Sequence, residues 1–424
     1  MSVNLEATRT FSIEVIQTLQ AAGFQALWAG GCVRDLLLRK PSKDFDVATD
    51  ATPDQVREVF GYERTLAIGA SFGVITVQGG KRRGQVEVAT FRTDLGYSDG
   101  RRPDDVRFSS AEEDAQRRDF TINGMFYDPI QKKVLDYVGG QRDLKHGLVR
   151  SIGNPYKRFE EDKLRMLRAV RFSSTFAFDL ELQTQHAIRE YASHIHVVSA
   201  ERIAAEMRRM LADNHRMIAV RMLRDLTLLH EILPEAESTV GHALRWSETY
   251  HSLERLEVSD FRVAMALLLR YACHGSVLNG NPLKPIEPAN VVCHRWKLTN
   301  DETKTIQWLL RHEHTVRHAD QVAWPKLQRL LIADSAPLLI ATGYAVQRAR
   351  DNSTVGVEHA EACMSLPEEE LNPDPILSGS DLIQAGFKPG PQFQRVLEAV
   401  RDQQLEKRLH TTEEALAFAK AHWD

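Results

Sequence analysis

Residues 27–49 read Leu-Trp-Ala-Gly-Gly-Cys-Val-Arg-Asp-Leu-Leu-Leu-Arg-Lys-Pro-Ser-Lys-Asp-Phe-Asp-Val-Ala-Thr. A strand pattern over Ala26–Ala29 stops at Gly30-Gly31, a helix pattern over Val33–Leu38 follows, and a second strand is expected at Phe45–Ala48. Alternate strand residues face the same side. Asp44 and Asp46 are therefore expected to aim two carboxylates at one spot, with Phe45 and Val47 facing a core. Such a pair beside a glycine turn can hold divalent metal next to a triphosphate. Gly30 and Gly31 fit that setting. Backbone N–H groups at a helix start favour an anion, and missing side chains let phosphate come close. Arg34 would add charge near the terminal phosphates. A lone Asp-x-Asp or a lone glycine turn is more often purely structural, so the rest of the chain has to decide.

Three further segments bear on it. In Gln85-Val86-Glu87-Val88, the valines are expected in the core and Glu87 on the opposite face, where a neighbouring strand would bring it beside Asp44 and Asp46. Three carboxylates on adjacent strands suit a two-metal site; the plain alternative is a Glu on an exposed sheet face. In Arg117-Arg118-Asp119-Phe120-Thr121-Ile122-Asn123-Gly124, Arg117 and Arg118 can contact triphosphate, and Asp119 and Asn123 can bond ribose hydroxyls. As an isolated octamer it equally suits a surface turn. In Glu161-Asp162-Lys163-Leu164-Arg165, expected on a helix, Asp162 and Arg165 share a face. An intrahelical ion pair is the ordinary reading. The chemically specific one is base reading: a carboxylate accepts from the amino group of cytosine or adenine, while a guanidinium donates to the adjoining ring acceptor. Guanine and uracil present a carbonyl and a ring N–H there and would be rejected by roughly 10⁴. Arg168 and Arg171 continue along the helix toward a nucleic-acid backbone.

The pattern divides the chain. An α/β head is expected over residues 1–145, with strands also at Gly73–Val77 and Val86–Phe91, a helix at Pro53–Phe60 and a mobile loop over Thr93–Ser110, which holds Gly96, Gly100 and Pro103. Helical periodicity dominates beyond Arg150, and proline clusters (Pro282, Pro285, Pro288; Pro367, Pro373, Pro375) mark connections. At 424 residues, 43% hydrophobic and 26% charged, the composition is that of a soluble globular chain. Its longest apolar run, Val263–Leu269, is too short to span a bilayer. The first twenty residues show no secretory signal pattern. The four cysteines are scattered, which fits free thiols in a reducing cytoplasm. Net charge is −4, yet residues 141–230 hold 16 Lys+Arg against 11 Asp+Glu. A local basic face can bind phosphate in an acidic protein; a solvated helical surface is the alternative.

Taken in order, 27–49, 68–77, 86–94, 117–129, 136–144 and 160–172 resemble the class II (bacterial-type) tRNA nucleotidyltransferase and poly(A) polymerase family. The likeness is close over about the first 210 residues and weaker through 378–391. It implies an α+β fold: a polymerase-β-like head with a mixed sheet, then an all-helical neck (146–215), body (216–330) and tail (331–424) that binds tRNA. It implies template-independent transfer of CMP and AMP from CTP and ATP to an RNA 3′ end, with Mg²⁺ in a two-metal site. By position Asp44 and Asp46 would be metal ligands and Glu87 a supporting acid. Gly30, Gly31, Arg34 and Arg118 would hold triphosphate, Asp119 and Asn123 the ribose. Glu161, Asp162 and Arg165 match the nucleotide-selecting E-D-x-x-R, with Arg168 beside them, and 93–110 matches a loop needed to add the terminal A.

Departures exist. Gly124 stands for a usual Ala, and Arg39-Lys40 replaces a usual Gly before the Asp-x-Asp strand. The helix around Ala266–Arg270 lacks the His-Asp pair of relatives with phosphohydrolase activity, so none is expected; His274, His294, His312 and His314 read as solvated or capping. A CCA-adding enzyme fits best. An A-adding enzyme or a poly(A) polymerase stands next, and an RNA-binding protein that has lost catalysis last, since Asp44, Asp46 and Glu87 are all kept.

Overall fold

A computed structural model describes residues 5–42, 44–80, 83–95, 105–237, 242–274 and 286–423. The chain forms two compact units, Met1–Pro234 and Glu235–Asp424. The expected head and neck both fall in the first.

In the first unit seven of the described strands build a mixed sheet in the order β3-β4-β5-β2-β1-β8-β9. They are β1 (Ala26–Ala29), β2 (Val47–Thr49), β3 (Thr65–Gly69), β4 (Val74–Gln78), β5 (Gln85–Thr90), β8 (Phe126–Asp128) and β9 (Lys133–Leu135). The key pairing is β2 with β5, parallel, Val47 opposite Val88. One face is sealed by α1 (Leu5–Ala21), whose Phe11, Val15, Ile16 and Leu19 are buried, and the Trp28 indole donates to Ser12 Oγ at 2.9 Å. Next along the chain are α2 (Gly31–Leu37) and α3 (Pro53–Phe60). The latter starts where it does because Thr52 and Gln55 cap each other and Pro53 needs no partner for a missing N–H. On the second face, Leu27, Ala29, Ala48, Phe91 and Phe126 pack with Ala111 and Ala115 of α4 (Ala111–Arg117).

The expected mobile loop over Thr93–Ser110 is corrected in part. Its arms pair as an antiparallel ribbon, β6 (Arg92–Leu95) with β7 (Asp105–Phe108). Glycine and proline content nearby hid these two strands. Gly96, Gly100 and Pro103 lie outside the described residues, as do Pro282 and Pro285. After α5 (Gly140–Lys145), only the two-residue pairing of Leu148–Val149 with Asp179–Leu180 interrupts α6 (Pro155–Glu161), α7 (Leu164–Phe176), α8 (Leu182–Tyr191) and α9 (Ala200–Leu211).

Described elements of the second unit are all helical. Its core includes a buried carboxylate, Glu313, held by Arg270 at 3.1 Å and Arg317 at 2.7 Å. Arg270 thus does structural service in the helix that lacks a His-Asp pair. His312 packs against Trp308 and His314 stacks on His318. Burial lowers the affinity of both His312 and His314 for protons. Pro391–Leu405 is a helix, in keeping with the helical periodicity expected beyond Arg150. Among the described residues no single helix is long and apolar enough to cross a membrane.

Candidate active site

The carboxylates lie at the two adjoining central strands β2 and β5. Val47 begins β2, so Asp44 and Asp46 precede the strand rather than sit on it. Extended pairing nevertheless reaches Asp46, whose carbonyl accepts from Ala29 N at 3.0 Å. Alternation holds: Asp44 and Asp46 are exposed, Phe45 and Val47 buried. Phe45 is fixed against Trp28, ring centroids 5.1 Å apart. On β5, Glu87 is exposed between buried Val86 and Val88. The register of β2 on β5 carries Asp46 to Glu87.

These three carboxylates crowd one another. Asp46 keeps accessible surface, but its carboxyl is partly desolvated. That desolvation, with the charges of Glu87 and then Asp44, pushes it up to about 6 against the pull of Arg118. A divalent cation would relieve this repulsion, and carboxylate oxygens are the donors such hard ions take. The donor set therefore fits Mg²⁺. Among the described residues no three His, Cys, Asp or Glu side chains already form an ion-sized cage.

The glycine turn is built for close approach. Gly30 has φ +72°, and a Cβ there would meet Arg118 Nη1 at 3.1 Å. The positive φ favours glycine, and a side chain there would press on Arg118. Arg118 is aimed by Asp114, which accepts from its Nε at 3.0 Å, and lies over the Phe126 ring. Arg117 shares the same carboxylate at 2.6 Å. Burial alone would raise the Asp114 carboxyl; Arg118 and Arg117 outweigh it and leave it below the usual range. Composition gave no hint of this buried acid, although the Ser110–Glu113 capping box marks the start of its helix.

Arg34 lies beside the glycine turn, its Nη2 3.6 Å from where a Gly31 Cβ would stand, but it is not a free cation. It is 8% exposed, donates to Asp35 at 2.8 Å and Asn123 Oδ1 at 2.7 Å, and lies over Phe176. Asn123 in turn donates to Asp119 at 3.2 Å, and Asp119 takes Arg168 at 2.6 and 2.9 Å. Burial would raise Asp119, but the Arg168 charge and hydrogen bonds hold it down at about 2. Arg168 and Arg171, expected to face a nucleic-acid backbone, are turned inward. Arg171 pairs with buried Glu206 at 2.5 Å, and Arg209 joins it at 3.0 Å.

The base-reading segment needs the largest correction. Glu161 to Arg165 is not one helix. α6 ends at Glu161, Asp162 is extended (φ −149°, ψ 105°), and α7 starts at Leu164. The Asp162 carboxylate, one residue before the N-cap Lys163, accepts from the Leu164 N–H at 3.0 Å and so satisfies a backbone donor at the start of the new helix. Its other oxygen accepts from Arg202 at 2.7 Å. Arg165 pairs with Glu161 at 2.7 Å and reaches the Arg117 carbonyl at 3.4 Å. Sequence spacing gave Arg202 no task.

Comparison with known proteins follows the same order along the chain. Residues 26–150 match the family model of the poly A polymerase head domain. Residues 177–239 match a probable RNA and SrmB-binding site of polymerase A, and 283–419 a putative domain 2 of tRNA nucleotidyltransferase. A CCA-adding enzyme of Lactobacillus helveticus is 32% identical, covering 96% of this chain and 95% of its own. One from Bacillus subtilis is 43% identical over 53% of this chain and 55% of its own. Among solved structures, the Bacillus stearothermophilus CCA-adding enzyme in complex with CTP superposes with a TM-score of 0.71 at 25% identity, covering 97% of this chain and 96% of that one. A Thermotoga maritima CCA-adding enzyme complexed with tRNA shares the fold, TM-score 0.67 at 18% identity over 98% and 95% of the two chains.

Proposed function

We infer the reaction from one premise: this chain belongs to the family of the CCA-adding enzymes. It is a tRNA nucleotidyltransferase that adds CMP and AMP, from CTP and ATP, to the 3′ end of tRNA without a nucleic-acid template. The observation that carries this reading is the docking of α7 on the head. Arg165 donates to the Arg117 carbonyl, which sets the base-reading side chains against the octamer whose Arg118 covers Gly30.

Each group then has a task. Gly30 and Gly31 bring backbone against the triphosphate, and Arg118, aimed by Asp114, neutralises it. Asp44 and Asp46 would hold Mg²⁺, with Glu87 beside them. What the ion supplies when bound is Lewis acidity, acidifying the attacking 3′ hydroxyl and screening the leaving pyrophosphate in a two-metal arrangement. Asp119 and Asn123 sit at the ribose, fixed from behind by Arg168 and Arg34. Asp162 accepts the amino proton of cytosine or adenine, and Arg165 donates to the adjoining ring acceptor. Arg202 and Glu161 hold those two side chains ready. The helices beyond bind the acceptor arm through phosphate and shape contacts. The four thiols are free, which suits a reducing cytoplasm.

The test is incorporation of labelled CMP and AMP with Mg²⁺ on three acceptors: tRNA lacking CCA, tRNA ending in CC, and a non-tRNA oligomer. All three residues should be added to the first. Long A tails on the oligomer would make it a poly(A) polymerase, and addition of A to the CC form alone would make it an A-adding enzyme.

A further inference from the structure

Among the described residues, the second face of the sheet is covered on one side of Asp46 and open on the other. Over β1, β2 and β8 it is closed by the cluster under α4. Toward β3, opposed residues of paired strands share a face. The registers Thr76↔Glu87 and Leu66↔Thr76 therefore extend the carboxylate face outward as a row, Glu87–Thr76–Leu66, with Gln85 opposite Gln78 beside it. None of these side chains beyond Glu87 is charged. Leu66 is 37% exposed, and Ile68, in the adjoining bulge, is 89% exposed. β3 is also the sheet's edge, a place where proteins usually put charge.

Reaction geometry says what belongs there. In phosphoryl transfer the attacking and leaving oxygens stand roughly in line across phosphorus. The glycine turn and Arg118 lie on the β1 side of Asp46, so pyrophosphate departs that way. The nucleophile must then approach from the β5 side. We propose that the open face from Glu87 to Leu66 seats the 3′-terminal nucleotides of the RNA acceptor, an inference that rests on the nucleotidyltransfer reading above. Thr76, Gln78 and Gln85 offer hydrogen bonds to sugar hydroxyls, the groups that distinguish RNA. Leu66 and Ile68 offer apolar surface to a base. Three strand spacings of about 4.8 Å put Leu66 roughly 14 Å from Asp46, which suits a base preceding the terminal nucleotide. A neutral face suits sugar and base rather than phosphate.

The test uses the full chain with tRNA ending in CC, ATP and Mg²⁺. Leu66→Glu and Ile68→Glu are compared with wild type and with Ile130→Glu, an exposed apolar residue in the turn joining β8 to β9 near the opposite edge. Uncharged Leu66→Ser guards against a folding artefact of the introduced charge. The first two should raise KM for tRNA by roughly tenfold, the scale of losing one base contact. Leu66→Ser should raise it less, KM for ATP should stay put, and the control should match wild type. Unchanged KM for tRNA in an active protein, or a parallel rise in KM for ATP, overturns the inference alone. No incorporation by wild type overturns the reaction itself, and the inference with it.

Discussion

Arg202 holds the Asp162 carboxylate at 2.7 Å, from a helix forty residues further along the chain. The residue expected to read the base is thus oriented by a guanidinium outside the E-D-x-x-R segment, while Arg165 is kept by Glu161. A carboxylate with one oxygen on the Leu164 N–H and the other on Arg202 has little freedom left.

Removing Arg202 should therefore damage selection more than chemistry. Arg202→Ala is expected to lower the preference for CTP and ATP over UTP and GTP by about tenfold, the value of one charge-assisted hydrogen bond. Arg202→Lys should keep part of it. Ratios of kcat/KM for the four nucleotides measure this. A uniform loss across all four would reduce Arg202 to a scaffold residue.

Much of the head was legible because its signals are local. The strand over Ala26–Ala29, the Pro53–Phe60 helix and the alternation at Asp44–Val47 follow from residue order alone. The missed features depend on distant partners. Nothing near Arg34 says that Asn123 and Phe176 will take its guanidinium. Nothing near Arg168 or Arg171 says that Asp119 and Glu206 will turn them inward. The break at Asp162 escaped for a different reason: five helix-compatible residues hid an aspartate whose side chain takes a nearby backbone N–H.

The Asp119–Arg168 pair should make acid stability measurable. The Asp119 carboxyl is held at about 2 in the fold, below its unfolded value of about 3.9. It contributes stability that is full above the unfolded pKa and is lost as pH falls through the folded one, across roughly pH 4 to 2. The contribution is on the order of 2 kcal/mol. Asp119→Asn should cost about that much at pH 7 and little at pH 2, read from urea midpoints. An equal cost at both pH values would mean the charge is irrelevant.

Arg39 offers a stabilising change. It adopts φ +55°, the left-handed region that favours glycine. The turn before the Asp-x-Asp segment is thus kept by a strained side chain. Lys40 beside it lies over the Phe176 ring at 5.0 Å. Left-handed backbone costs a non-glycine residue roughly 1–2 kcal/mol, offset in part by the entropy glycine loses on folding. Arg39→Gly should raise stability by about 0.5–1 kcal/mol without changing nucleotide KM. A lowered melting temperature would show that the Arg39 side chain makes good the strain.

The carboxylate cluster predicts different outcomes for activity and for metal-free stability. Desolvation, with the charges of Glu87 and Asp44 added to it, keeps the Asp46 carboxyl raised to about 6. Asp46→Asn removes one of the charges, so the metal-free protein should melt no lower than wild type, and nucleotide incorporation should be lost. A ligand that binds only the folded state raises its stability by mass action. Mg²⁺ should therefore raise the wild-type melting temperature, and raise that of Asp46→Asn much less. Calorimetric scans with Mg²⁺ and with chelator compare the two proteins, and Ca²⁺ in place of Mg²⁺ separates binding from catalysis. An Asp46→Asn protein that keeps both its Mg²⁺ response and its incorporation would place the metal away from this face of the sheet. A variant that melts well below wild type in chelator would mean that Asp46 supports the fold rather than strains it.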